Sequence, residues 1–493
     1  MIATRRSGAG LIAGAAAAAL ASGALIAHGS PAVLLALAAL AFLLWAIARP
    51  EHAALVLLLL TPFSIYPLTV GGFSVFAVAP LVGLTSVILL LRHRGTVARL
   101  RGRLPMLAGA LLVAVATVTA ALSTQPTTAL SRVLYLVIFG LFAAALASAI
   151  SAGAVSDRTV AEAVVAAAAA AAIALIVQVV AQFSAGATSV TNWLIGELPL
   201  FAGAHAASEL GQLNWTVGGL NIVRGIFPFM DAPGAGQFMM LGLLAAVWLR
   251  LDSRPSASWL GGRLGLVAIG LIATGLLMTF SRQSWVGAFV GFGALALRRR
   301  PGSLLLAVIA LFVVMTVVPA PGGHETFADY LLSASNTSTT STATRLGLWQ
   351  QAFQLVPHHW VIGVGPGLYA TLNPDPANPI YYAHNVYLDE LVELGALGTA
   401  ALIGLLAAAL KSAFRRRAML GFAMLAAWAT ANLFDDSFYE PRVLMLLATA
   451  FALAAAGDGA MKSVGGASSR PLGAPSAPDG GALRVPRGER VRV

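Results

Sequence analysis

The stretch VAEAVVAAAAAAAIALIVQVVAQF (160–183) decides the class of fold. Its one charged residue, Glu162, stands near its start, and the rest is apolar but for two glutamines. About 20 such residues wound as a helix cross the hydrocarbon core of a bilayer. Working outward, comparable apolar segments recur at 8–28, 31–48, 53–70, 74–91, 105–122, 131–150, 236–250, 264–280, 282–297, 303–319, 384–410, 418–434 and 441–456. With the opening stretch they make fourteen. The expected fold is therefore all-α, a polytopic integral membrane protein of about 12–14 transmembrane helices. Pro62 and Pro67 interrupt the segment 53–70, and a proline there removes a helix hydrogen bond. The composition agrees. Of 493 residues 58% are apolar and 10% charged, against about 25% charged in a soluble domain. Mean hydropathy is +0.84. These values exclude a soluble enzyme, a disordered chain and a nucleic-acid-binding module.

The charges set a direction. The net charge is +11, and cationic loops lie on the cytosolic side of a membrane. With the N-terminus inside, anchored by Arg5 and Arg6, twenty-five of the thirty basic residues fall on cytosolic stretches. Five are left outside: Arg132, Arg224, Arg282, Arg345 and Arg442. The division expected is N-terminal membrane helices over 1–183, a first outer loop over 184–235, central helices over 236–319, a large outer loop over 320–383, C-terminal helices over 384–456 and a disordered cytoplasmic tail over 457–493. Trp193, Trp215 and Phe227 mark the first loop as interfacial or re-entrant. The second holds the polar run SASNTSTTSTAT (333–344). Long outer loops carry function more often than short ones.

An arginine outside needs a local reason. Arg282, in MTFSRQSWVGAFVG (278–291), stands at the junction of two apolar segments, where an ionisable side chain is expensive. Arg224 precedes a span in IVRGIFPFMDAPGAGQFM (222–239). Arg345, in TATRLGLWQQAF (342–353), opens an amphipathic helix with Leu346, Trp349 and Phe353 on one face. In YYAHNVYLDELVELGALG (381–398), His384 and Asn385 stand where the large loop enters a span, with Asp389, Glu390 and Glu393 following. A histidine there titrates near neutrality and can act as a general base. VIGVGPGLY (361–369) is a glycine-rich turn. NLFDDSFYEPR (432–442) holds Asp435 and Asp436, adjacent carboxylates that can pair with an arginine. Arginine forks suit phosphate oxygens, so the pattern points to an outward-facing site for a lipid-linked diphosphate. The chain has no cysteine and no clustered metal-ligand spacing, so neither metal nor cofactor is expected.

The motifs SRQSWVGAFVG (281–291), RLGLW (345–349), GVGPGLY (363–369), HNVYLDELVELGALG (384–398) and RGIFPFMDAPGAGQF (224–238) resemble the O-antigen ligase and polymerase superfamily over roughly 220–400. The resemblance implies a GT-C-like membrane fold and a metal-independent, inverting glycosyltransferase of the bacterial cytoplasmic membrane, in which the charge pattern puts both termini on the cytoplasmic side. Such an enzyme moves a glycan from undecaprenyl diphosphate to a lipid or glycan acceptor, as in lipopolysaccharide assembly, on the outer face. It implies His384 as catalytic base and Arg282, Arg345 and Arg224 as diphosphate-binding residues. Ser281, Asn385, Glu390, Glu393 and Asp436 are the supporting residues expected around them. A polysaccharide polymerase is the same chemistry with another acceptor. The rival of another class is a transporter or flippase, which calls for charged residues lining a path within the spans.

Overall fold

The computed structural model describes residues 31–64, 78–100, 102–202, 220–229, 231–252, 262–297, 340–372 and 382–456. It adds the short pieces 68–70, 73–75 and 214–217 and single positions at 316, 326 and 329. The expected spans 8–28 and 303–319 (save one position), most of the run 333–344 and the tail 457–493 lie outside the described residues. Each of the remaining segments carries a helix.

The first helices are α1 (Pro31–Ala48) and α2 (Pro50–Leu60). The segment 53–70 is not one helix. Pro62 ends it in a 3-10 turn, Thr61–Phe63, because proline cannot donate to the preceding turn. The chain then forms a hairpin of β1 (Leu68–Val70) and β2 (Phe73–Val75), antiparallel with Leu68 opposite Val75. Next come α3 (Ala79–Arg92), which turns by 93° into α4 (Arg94–Leu100), and α5 (Leu104–Leu122), α6 (Pro126–Ser151) and α7 (Asp157–Ala185). Ser156 caps α7: its hydroxyl accepts from Thr159 N–H at 3.0 Å. The stretch expected as the first outer loop is structured for much of its length. It holds α8 (Ala187–Ala202) and a second hairpin, β3 (Asn214–Val217) and β4 (Leu220–Val223).

The second half contains α9 (Ala232–Leu251), α10 (Arg263–Met278), α11 (Arg282–Ala296), α12 (Thr340–His359), α13 (Val386–Glu393), α14 (Gly395–Arg416), α15 (Met419–Ala431) and α16 (Pro441–Ala456). The expected span 384–410 is thus broken at Leu394. Three carboxylates within the eight residues of α13 are costly in hydrocarbon, so α13 stands ahead of the apolar helix α14. Five helices, α5, α6, α7, α9 and α14, are long and apolar enough to cross a membrane, and the bent pair α3–α4 makes a sixth. Residues 38–48 of α1, with α2, α10, α15 and α16, are shorter apolar helices. The protein is an all-α, multi-pass membrane protein.

Helices α9 and α16 are buried along most of their length. α9 packs on α7, α10 and α11, while α6 packs on α3 and α16. Helices α11 and α15 approach closely at Gly287, where a Cβ would lie 2.7 Å from the Ala427 carbonyl oxygen. Small residues let helices meet this closely in a membrane, where apolar burial alone supplies little attraction. Large apolar side chains such as Leu122, Val177, Phe183, Val267 and Ile403 face outward, as a lipid-bathed bundle requires. At the C-terminal end of α9, Arg158 pairs with Asp252 at 3.3 Å. The polar centre lies at the opposite end, beside Asp231 and Gln237, most of a helix length away.

Candidate active site

His384 stands just before α13, half-buried, with a backbone φ of 52°. That left-handed conformation is strained for any residue with a Cβ and persists only where the surroundings impose it. Here they do. Asp389 accepts from Ala383 N–H at 2.6 Å and from Asn385 N–H at 3.3 Å, bracketing the histidine. Asn385 caps α13, accepting from Tyr387 N–H at 3.0 Å and Leu388 N–H at 3.2 Å, and its amide donates to the Leu433 carbonyl at 3.0 Å. Val386 N–H bonds the Asn432 and Asp435 carbonyls. The Tyr382 ring meets the imidazole edge-on, with centroids 4.4 Å apart.

These bonds bring the turn between α15 and α16 against the histidine. His384 Nδ1 lies 3.3 Å from Asp435 Oδ1. The other oxygen of Asp435 accepts from Gln237 Nε2 at 3.1 Å and from Gln283 Nε2 at 3.5 Å. Gln237, fully buried on α9, also accepts through Oε1 from Asn432 Nδ2 at 2.9 Å and from the Ser437 hydroxyl. One side chain thus ties α9 to the turn that carries Asp435, and Gln283 ties in the start of α11. Arg282, the first residue of α11, is buried beside it. The Ser281 hydroxyl bonds the Ser284 hydroxyl at 2.7 Å.

The arginines are held differently. The Arg224 guanidinium donates to the Thr279 and Phe280 carbonyls at 2.9 and 3.0 Å, gripping the turn ahead of Ser281 and Arg282. Arg345 is half-buried on α12, one turn before Trp349 and so on the same face. Trp349 Nε1 donates to the Ala383 carbonyl at 3.0 Å, which docks this face beside the histidine. The buried side of α12 is Trp349 and Ala352 with Leu355 and Val356. Leu346 and Phe353, expected on that side, are exposed. The indole–carbonyl bond sets the rotation of the helix, and hydrophobic spacing alone does not register it.

Carboxylates crowd the same end of the bundle. Glu393 accepts from Gly367 N–H at 2.6 Å and Tyr369 N–H at 3.1 Å, fastening the glycine-rich turn to α13. Burial pushes its pKa up to about 7, against the pull of those two bonds. Burial likewise lifts Asp436 to about 6, helped by Asp435 and opposed by the Phe438 N–H bond, Arg132 and His384. Asp389 and Glu390 are raised by burial and by their acidic neighbours. Asp231, the cap of α9, accepts from Gly234 N–H at 2.6 Å; burial and the nearby Asp435 lift it to about 7. Among the described residues, no three His, Asp or Glu side chains are grouped to hold a metal ion.

Of the residues singled out in the sequence, His384, Asn385, Glu390, Glu393 and Asp436 gather around α13 and the 432–440 turn. Ser281 and Arg282 join them through Gln283, and Arg345 through Trp349. Sequence reading missed the roles of Asp435, Gln237, Gln283 and Asp231. The signal for Asp435 was its place beside Asp436, which does not say which of the two meets the histidine.

Fold and site together define a multi-pass membrane protein whose helices converge on one buried polar centre with a histidine–carboxylate pair. Residues 266–403 match the family model described as O-antigen ligase, so that part of the chain is similar to the O-antigen ligase family. The match runs from α10 into α14 and contains Arg282, Arg345 and His384. It supports a membrane glycan ligase or polymerase type of function and a glycosyltransferase-like enzyme acting on a lipid-linked glycan and an acceptor. No curated protein matches the chain.

Proposed function

We propose that the protein transfers a glycan from undecaprenyl diphosphate to an acceptor hydroxyl at the outer face of the bacterial cytoplasmic membrane. The observation that carries this reading is the His384–Asp435 pair, linked through Gln283 to the start of α11 where Arg282 stands. A carboxylate accepts hydrogen bonds, so Nδ1 carries the imidazole hydrogen toward Asp435 and Nε2 is left as the base. His384 then takes the proton of the acceptor hydroxyl. The acceptor oxygen bonds to the anomeric carbon, whose bond to the phosphate oxygen breaks, and undecaprenyl diphosphate leaves with that electron pair. Attack from the face opposite the leaving group inverts the anomeric centre. Arg282 and Arg345 steady the diphosphate as its charge grows. Arg224 acts through them, by fixing the turn that presents Arg282. The basic end of the bundle, at Arg158 and Arg250, faces the cytosol under the positive-inside rule.

The test is release of undecaprenyl diphosphate by the purified full-length protein, given the lipid-linked glycan and an envelope extract with EDTA present. Release is expected from wild type and absent from His384→Ala of normal thermal stability. Full activity in that variant overturns the catalytic role of His384. A ladder of repeat units among the products assigns a polymerase, and a single transfer a ligase.

A further inference from the structure

Arg132, on the second turn of α6, has no place in that mechanism. Its guanidinium makes no hydrogen bond or close ion pair among the described residues: it lies over the Tyr439 ring, 5.5 Å from the centroid, and acts on Glu393 and Asp436 only through their charge. Arg224 and Arg442 differ. Arg224 spends its donors on carbonyls, and Arg442 pairs with Glu440 at 3.1 Å and donates to the Ser64 carbonyl. The carboxylates near Arg132 are already engaged. Both oxygens of Glu393 accept backbone N–H groups, and Asp436 Oδ1 accepts from Phe438. The arginine nevertheless sits in a made place. Gly367 has φ 72°, and a Cβ there would lie 2.8 Å from Arg132 Cγ and 2.9 Å from Nε. The glycine-rich turn is therefore shaped to let the arginine stem pass. Arg132 and His384 both act on Asp436, so both lie near that carboxylate.

We propose that Arg132, framed by the Gly363–Tyr369 turn and the Tyr439 ring, is an anion-binding subsite that takes a phosphate or carboxylate group of a transfer substrate. A planar fork with unspent donors binds such a group bidentately, and the ring contact holds the fork ready at little entropic cost. That the anion belongs to a transfer substrate rests on the proposed function; the two are tested apart, because anion binding is measured on the resting protein while the His384 step is measured as product release.

The experiment is calorimetric titration of the full-length protein in detergent with two probes, inorganic phosphate and undecaprenyl diphosphate. Wild type is expected to bind phosphate, and Arg132→Gln to bind it about tenfold more weakly, with an unchanged melting temperature in the absence of ligand. Arg132→Lys, which keeps the charge and loses the fork, falls between. If undecaprenyl diphosphate weakens in parallel, the anion is the donor's diphosphate; if it binds as before, the anion belongs to the acceptor. Should Arg132→Gln not fold, Arg132→Lys decides by the same comparison. Phosphate binding that is equal in wild type and variants, or undetectable in wild type, overturns the proposal.

Discussion

At the scale of single residues, the histidine is held by bonds that compete with its backbone preference. A left-handed His384 is tolerated because Asp389, Asn385 and Asp435 each fasten a neighbouring atom. In the proposed mechanism Asp435 orients the imidazole and favours the tautomer with a free Nε2. Asp435→Asn keeps the shape and loses the charge, so kcat is expected to fall about a hundredfold, within the range for disturbed general-base catalysis. The pH–rate profile should also move, an effect that a purely structural residue would not produce. An unchanged profile and rate would remove Asp435 from the mechanism. The histidine itself was legible in the sequence, since a titratable side chain at a loop–span boundary stands out. Its partner was not. Asp435 lies 51 residues further on, and no local pattern separates it from Asp436.

At the scale of elements, hydropathy located the helices because each must cover its own backbone in lipid. It located their ends less well. Pro62 and the three acids of α13 end or break helices for reasons that apolar averages do not weigh. Packing between elements was less legible still. Gly287 brings α11 to the Ala427 carbonyl on α15, and α11 carries Arg282 and Gln283 at its start. Gly287→Val should separate these helices at a cost of about 1–3 kcal/mol, read as a lower melting temperature. It should also slow transfer, by shifting Gln283 away from Asp435. A variant as stable and active as wild type would show that the contact is not needed.

At the scale of the whole molecule, the carboxylates around α13 make stability depend on pH. Asp231 and Glu393 are raised to about 7 and Asp436 to about 6, against ordinary values near 4. Between about pH 4 and 7 the folded chain therefore holds more protons than the unfolded one, and stability falls as pH rises. The melting temperature in detergent should be higher at pH 5 than at pH 8. Asp436→Asn should flatten that slope, and a melting temperature that rises toward pH 8 would contradict these assignments. The sequence disclosed the acids but not their burial, which depends on helices from both halves of the chain closing over them.

Gln237 bears on how this protein can be re-engineered. It joins α9 to Asn432, Asp435 and Ser437, and neither side of that junction falls within the 266–403 stretch that matches the family. Grafting that stretch into a relative would transplant the histidine while leaving behind its carboxylate and the amide that aims it. A working chimera is therefore expected to need cuts outside 224–442, which would make the unit of exchange in this chain larger than the unit of recognition.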